Sequence, residues 1–382
     1  MNILVSTGEW NAALGCVESL GRLGHAVDVL VDTGFVPAAH SRWCRRAIRT
    51  PNEYRSPDYE EALLKVLAGR GYDLFIPISE RAMDIAIKLR EDIARHTAMV
   101  LASDQSVGIA QDKVATQRLA ARLGVPTPRS LFPQTVDEFA AAARELGLPA
   151  VVKLPRSTGS LGVCIARSVD EVVDYVRRVG RPANWPFIQA YEPGDTADVA
   201  AVCRHGELVA THAFYCEPQH MIGGTPPFVR SISQPEEVLC YAGLLARALD
   251  WHGPLDFDFT RTADGRYLLL ELNARFSGTI TFGLAAGLDL PAALVEVAQG
   301  RLPPKITSPE GDQRFRTGLE YEFQWWAQRP LARLPEWIAT RFDPRVLRIS
   351  RKSQPGVLLA QLVTATRTLY KRRKKRIALR SQ

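Results

Sequence analysis

Residues 255–278 read LDFDFTRTADGRYLLLELNARFSG, two alternating stretches on either side of Asp264-Gly265. Asp-Gly is a favoured pair for a two-residue β-turn, because both turn positions need positive φ. Such a turn predicts a hairpin in which Ala263 faces Arg266, Asp258 faces Glu271 and Asp256 faces Asn273. Side chains alternate along a strand, so Asp256 and Asp258 share one face while Leu255, Phe257 and Phe259 share the other. Glu271, Asn273 and Arg275 project to one side, and Leu270, Leu272 and Phe276 serve packing. Opposed side chains stand about 4.5–5.5 Å apart, where like charges repel. Two facing carboxylates beside an amide oxygen become tolerable around a hard cation, and magnesium is commonly held by one or two carboxylates together with substrate phosphates. A solvated face carrying unrelated charges is the plain alternative. The apolar surroundings and Arg275 on the same side favour the metal site.

Upstream of the hairpin, PAVVKLPRSTGSLGV places Lys153 at the end of an apolar strand, ahead of a glycine- and serine-rich loop at 157–162. An ammonium is a compact charge suited to polyphosphate. The loop residues Ser157, Gly159, Ser160 and Gly162 offer backbone N–H groups, with glycine allowing close approach. There is no GK[ST], and strands flank the loop on both sides, so this is not a Walker A motif. Lys113, in AQDKVATQRLAARLG, opens a helix that stops at Gly124 before VPTP.

The spacing from Asp258 to Glu271 and Asn273, followed by Arg275 and Gly278, resembles the magnesium-binding end of ATP-grasp ligases. With Lys113 and Lys153 the resemblance covers roughly residues 100–300, and it is closest to carbamoyl-phosphate-synthetase-like proteins and carboxylate–amine ligases. It implies that Asp258, Glu271 and Asn273 bind Mg²⁺ (or Mn²⁺) bridging the phosphates of ATP, and that Lys113 and Lys153 contact those phosphates. Arg275, Lys153 and Arg230 are the implied catalytic residues, with Arg275 steadying the transferring phosphoryl group and Arg230 fixing a substrate carboxylate. The segment PFIQAYEPGDTADVAAV resembles the adenine hinge: Gln189 would face the adenine amino group, with the backbone of Ala190 and Tyr191 reading the base edge. Thr196 stands where many relatives carry a ribose-binding glutamate, which leaves Glu192, Asp195 or Asp198 as substitutes. Asp256 occupies the place of an arginine in D-alanine–D-alanine ligases, which argues against that reaction.

The chain ahead of this region alternates short apolar strands (NILVS, AVDVLVD, DLFIPIS, MVLAS) with helical segments, the pattern of a parallel sheet covered on both faces. This is a Rossmann-like layout, yet STGEWNAALG lacks G-x-G-x-x-G and so speaks against a dinucleotide. The expected fold is therefore α/β and α+β. A Rossmann-like pre-ATP-grasp domain spans 1–105, an ATP-grasp small subdomain 106–188 and a large subdomain 189–301. A C-terminal extension with a basic tail, to which no fold is assigned, spans 302–382.

At 382 residues the chain exceeds one compact unit. Its 46% apolar and 23% charged content excludes wholesale disorder. No stretch approaches the length of a bilayer span, and MNILVSTGEWN carries no leader-like pattern, so a cytoplasmic location is expected. Six scattered cysteines, never spaced C-x-x-C, suggest reduced thiols rather than a zinc site. Twelve Lys and Arg, with no Asp or Glu, fall between Pro344 and Gln382. Removing that +12 from the net +7 leaves the body at −5. Such a body does not suit nucleic acid as its main business. GVLLAQLVTATRTLYKRRKKRIALR has the makings of a basic amphipathic helix, with an anionic membrane or an acidic partner as the sharper reading and a solvated tail as the plainer one. The expected activity is a ligase that activates a small-molecule carboxylate as an acyl phosphate for attack by an amine, forming a carbon–nitrogen bond and releasing ADP and phosphate. A bicarbonate-activating enzyme, and a non-catalytic polyanion- or membrane-binding module, are the alternatives. A homodimer is left open.

Overall fold

The computed structural model describes residues 1–157, 162–217, 226–233, 235–303, 313–349, 351 and 353–380, with 371–380 by their backbone path. Three sheets organise it. The first is parallel, with strands β1 (Asn2–Val5), β2 (Ala26–Val31), β3 (Cys44–Arg49) and β4 (Leu74–Ile76) in the order β3-β2-β1-β4. Ile3, Leu4, Val5, Val27, Val29 and Leu30 are buried almost completely. Burial on both sides follows from the helices that parallel connections lay across a sheet. The helix Asn11–Arg22 packs on one side, and the aromatic and aliphatic residues Tyr59, Leu63 and Leu67 of the helix Tyr59–Ala68 pack on the other.

The second sheet is antiparallel, built from β5 (Ser130–Leu131), β6 (Ala150–Lys153), β7 (Val163–Ala166) and β8 (Phe187–Ala190) in the order β5-β8-β6-β7. Helices Val136–Leu146 and Val169–Val179 close its core through Phe139, Val172 and Val176 against Val152 and Ile188. Both helices begin at a hydroxyl cap: Thr135 accepts from the N–H of Glu138, and Ser168 from that of Glu171.

The third sheet has β9 (Gly194–Arg204), β10 (Glu207–Cys216), β11 (Phe228–Ser231), β12 (Gly253–Thr262), β13 (Tyr267–Asn273) and β14 (Arg314–Arg316). Their order is β13-β12-β9-β10-β11-β14 and each pairing is antiparallel. One face buries Val199, Ala201, Leu255, Phe257 and Phe259 against the helix Glu236–Ala248. On the other, Ala200, Val202 and Phe214 join the core of the parallel domain through the helix Leu290–Ala298. The carboxylates Asp198, Asp256 and Asp258 project from this second face, since they alternate with the first set.

The hairpin departs from the two-residue turn and still reaches the expected register. Thr262 N–H donates to Arg266 O and Gly265 N–H to Thr262 O, both at 2.9 Å. The loop therefore holds three residues, Ala263 to Gly265, with Gly265 at φ +90°. That extra residue slips the pairing near the tip, where Arg261 faces Tyr267 and Phe259 faces Leu269. A β-bulge at Leu270 then takes the slip up, so that Asp258 faces Glu271 and Asp256 faces Asn273.

The segment after 302 is more structured than its sequence suggested. β14 forms the edge of the third sheet, and three helices follow: Leu319–Trp326, Pro330–Phe342 and Pro355–Arg380. Val357, Ala360 and Ala365 are buried, so the first half of the last helix packs on the body through apolar side chains. Arg351 ties this segment to the first domain, bonding both oxygens of the fully buried Glu18 at 2.9 and 2.8 Å. No helix among the described residues is long and apolar enough to cross a membrane.

Candidate functional site

Three neighbouring strands bring three carboxylates into one row. Asp258 on β12 faces Asp198 on β9 and Glu271 on β13, and the next rung holds Ala200, Asp256 and Asn273. Adjacent strands lie roughly 4.8 Å apart, so these acids repel one another strongly once away from water. Burial, reinforced by Asp256 and Glu271, pushes Asp198 well above the usual carboxylate range. Burial, reinforced by Asp198, Asp256 and Glu271, does the same to Asp258. Asp256 rises to about 6 through burial, with Arg275 opposing. Glu271 behaves differently. Burial raises it too, but Lys113 and Lys153 outweigh that and hold it below its ordinary value.

The two lysines arrive from the small sheet and the helix before it. Asp112 caps the helix Lys113–Arg122 by accepting from the N–H groups of Val114 and Ala115 at 2.9 and 3.1 Å. This fixes Lys113 in the first turn, where its own N–H donates to Pro155 O at 3.0 Å. Its ammonium reaches Glu271 Oε2 and Ser157 O, each at 2.9 Å. Lys153 ends β6 in a buried position and is pulled down to about 8 by burial, with Lys113 adding to the effect and Glu271 and Asp258 opposing it. The loop that follows Lys153 and leads into β7 closes through Leu154 N–H to Gly162 O at 2.9 Å. Gly162 sits at φ +83°, and a Cβ there would stand 2.9 Å from Leu154 Cδ1. Gly159 and Ser160 lie outside the described residues.

Arg275 sits beside the row and clamps it to the parallel domain. Its Nε donates to Glu80 Oε1 at 2.6 Å, Nη2 to Asn273 Oδ1 at 3.3 Å, and Nη1 lies 3.6 Å from Asp256 Oδ2. Its guanidinium also stands 5.8 Å from the ring centre of Trp10. Glu80 opens the helix Glu80–Lys88 behind the cap Ser79. An exposed-looking Ser-Glu helix start gave no sign in the sequence that it would meet Arg275.

The fit to a hard cation rests on the donor set. Asp198 Oδ1 and Asp256 Oδ1 are buried with no hydrogen-bond partner, which leaves acceptor capacity inside a row already too rich in negative charge. Among the described residues no three carboxylate, imidazole or thiol groups are disposed to hold a metal ion by themselves. An open set of one or two carboxylates is the kind magnesium takes when phosphate oxygens and water complete its shell. Asp258 and Glu271 supply two facing carboxylates, with Asn273 on the rung beside them.

The remaining expectations divide. Asp198, a candidate for the ribose contact, belongs to the carboxylate row, where Cys216 Sγ donates to its Oδ2 at 3.2 Å. Its place in the alternating apolar run ADVAAVC was the available signal. Gln189 is buried and donates to Ser130 Oγ at 2.9 Å, and the Ala190 N–H is taken by Arg129 O at 2.8 Å. Their free edge is thus reduced, and Tyr191, exposed, with Glu192, half-buried, lies just beyond β8. Arg230 pairs with Tyr215 across β10 and β11, and Tyr215 pairs with Ala197. This alternation sets Arg230 on the face opposite Asp198, with its guanidinium 5.4 Å from the centre of the Tyr215 ring. The register therefore separates Arg230 from the carboxylate row, correcting the expectation that it joins the other catalytic candidates.

Residues 112–190 match the family model of the carbamoyl-phosphate synthase L chain, ATP binding domain, and residues 218–319 match that of an ATP-grasp in the biosynthetic pathway with Ter operon. Two stretches of the chain, one on each side of the third sheet's first strands, are thus similar to ATP-grasp families. The first match carries Lys113, Lys153 and Gln189, and the second carries the whole hairpin and Arg275. Solved ATP-grasp structures share the fold. N5-carboxyaminoimidazole ribonucleotide synthetase from Thermus thermophilus superposes with a TM-score of 0.64 at 18% identity, covering 82% of each chain. An ADP complex of the same kind of synthetase gives 0.66 at 17%, covering 87% of this chain and 86% of that one. A biotin carboxylase from Campylobacter jejuni gives 0.66 at 14%, over 79% and 72%. At these identities the likeness to the solved ATP-grasp structures is one of fold.

Proposed function

We propose that this chain is an ATP- and magnesium-dependent ligase that activates a carboxylate as an acyl phosphate and transfers the acyl group to an amine, releasing ADP and phosphate. The observation that carries this reading is the carboxylate row of Asp198, Asp258 and Glu271 held against Lys113. Asp258, Glu271 and Asn273 would hold Mg²⁺, which neutralises phosphate charge and polarises the phosphoryl group. Lys113 and Lys153 hold two positive charges at the mouth of the glycine-rich loop, suited to the phosphate chain of ATP. Arg275, clamped by Glu80 and Asp256, presents its guanidinium without having to reorganise when charge develops. The ADP and ATP complexes of the fold relatives support the nucleotide.

The domain limits we propose are 1–105, 106–188 and 189–301, with the segment after 302 completing the third sheet. Bicarbonate as the activated carboxylate is the second reading, since a biotin carboxylase domain of the same fold, from Hydrogenobacter thermophilus, was solved with MgADP and bicarbonate. The test is ADP release across amino acids and dipeptides as acyl donors and acceptors, and with bicarbonate alone. Amine-dependent ADP release supports the ligase. Release with bicarbonate and no amine supports the second reading, and an unchanged rate in Glu271→Gln would remove both.

A further inference from the structure

A second group of acids lies outside the carboxylate row, above the carboxyl ends of the parallel strands, where open α/β sheets bind their ligands. The loops after β1, β2 and β3 enclose a cleft of about 80 Å³. Glu9, Asp32 and Glu53 line it together with Trp10, Tyr54 and Tyr59. No lysine, arginine or histidine is among its described lining residues; Arg55 acts on Asp32 from outside.

The hydrogen bonds of this cleft are unbalanced. Thr7 Oγ1 donates to both oxygens of the buried Glu53 at 3.0 Å, and Ser79 Oγ donates to Glu53 Oε1 at 2.5 Å. Asn52 Nδ2 donates to Asp32 Oδ2 at 2.6 Å, and the Asp32 N–H is taken by Glu9 Oε1 at 2.7 Å. The polar donors of the walls are therefore largely used. What remains is Asp32 Oδ1, buried and without a partner; the Tyr59 hydroxyl, on a side chain only 2% exposed, is turned toward Glu53. Burial, and next a hydrogen bond shared with the Asp32 carboxylate, pushes Glu9 up to about 8, as expected where negative charge lacks a counter-ion.

We infer that this cleft binds a cationic nitrogen, the primary ammonium of an aliphatic amine, and so supplies the recognition element for the amine substrate. An ammonium has three donors and no acceptor, matching walls that offer acceptors and negative charge. Aromatic faces at Trp10 and Tyr54 add cation–π attraction. Phosphate or carboxylate ligands meet repulsion here and find almost no free donor. The position agrees with the role, because the Trp10 ring that lines the cleft also stands beside Arg275 of the carboxylate row. The role assigned to the ligand rests on the ligase reading, whereas binding of the cation does not.

The test is calorimetric titration of the full chain with 1,4-diaminobutane, 1,4-butanediol and succinate, with MgADP titrated in parallel. The diamine is expected to bind at least about tenfold more tightly than the diol, as one charge-assisted contact warrants, and succinate not at all. Asp32→Asn, at a half-buried position, and Glu53→Gln are each expected to weaken the diamine about tenfold by the same measure. Equal binding of diamine and diol, preferred binding of succinate, or a diamine affinity untouched in both variants would overturn the inference whatever MgADP does. If the diamine preference holds while MgADP fails to bind, the cleft stands and the ligase reading falls.

Discussion

Trp10 lines one acidic cluster and stands beside Arg275 of the other, and the two clusters handle their charge in opposite ways. In the row formed by Asp198, Asp258 and Glu271, a lysine bonds one end and Arg275 braces the next rung. In the cleft of Glu9, Asp32 and Glu53, hydroxyl and amide groups take the place of cations. The row is thus prepared for a ligand that brings both signs of charge, a metal with its phosphates. The cleft is prepared for one that brings positive charge alone. Like residue types at similar depth acquire different chemistry from the charge of their neighbours.

The largest expected effect lies in the row. Glu271→Gln keeps the shape but removes the charge that holds Lys113, and should lower ADP release by about 10²–10³-fold, the scale of losing one preorganised electrostatic contact. A fall of less than tenfold, with circular dichroism unchanged, would place the chemistry elsewhere. Lys153 gives the next effect. Its lowered pKa, near 8, means that it is charged below that pH and neutral above it. If nucleotide phosphates bind the charged form, the dissociation constant of ADP should rise by about tenfold per pH unit above 8, as single-proton linkage requires. Lys153→Arg, charged throughout, should flatten that slope; titrations at pH 7, 8 and 9 decide.

The brace between the clusters comes third. Glu80→Gln leaves Arg275 without the charge of its 2.6 Å partner and should cost about 1–3 kcal/mol of stability, read as a lower denaturant midpoint. The smallest effect belongs to the cleft. Tyr59→Phe removes a buried hydroxyl whose contact is with Glu53, so stability should change by less than about 1 kcal/mol. A larger loss would show that the hydroxyl is structural and would weaken the contrast drawn here.

Much of the row was legible in the sequence because alternation and pairing act over short distances. Asp258, Glu271 and Asn273 lie within one hairpin, and their facing followed from counting outward from Asp264-Gly265. The counting succeeded through two offsetting departures, the third loop residue and the bulge at Leu270. Asp198 was harder, since its partner strand β12 comes some fifty residues later and β9 pairs with both β10 and β12. Glu80 left no trace, because its contact with Arg275 is made across the interface between domains. Arg230 shows the converse: the resemblance put it in the site, while strand parity puts it on the far face. The apolar positions Val357, Ala360 and Ala365 that dock the last helix were hidden by the charge run after Tyr370.

The bulge at Leu270 gives the hairpin slack. Because a strand repeats every two residues, shortening the tip by one would invert Glu271 and Asn273 onto the greasy side of the sheet, unless the surplus residue at 270 went with it. Paired loss or paired gain is the only length change that keeps the metal-facing atoms where they stand. Lineages and engineers altering this ribbon should find it elastic in steps of two and brittle in steps of one.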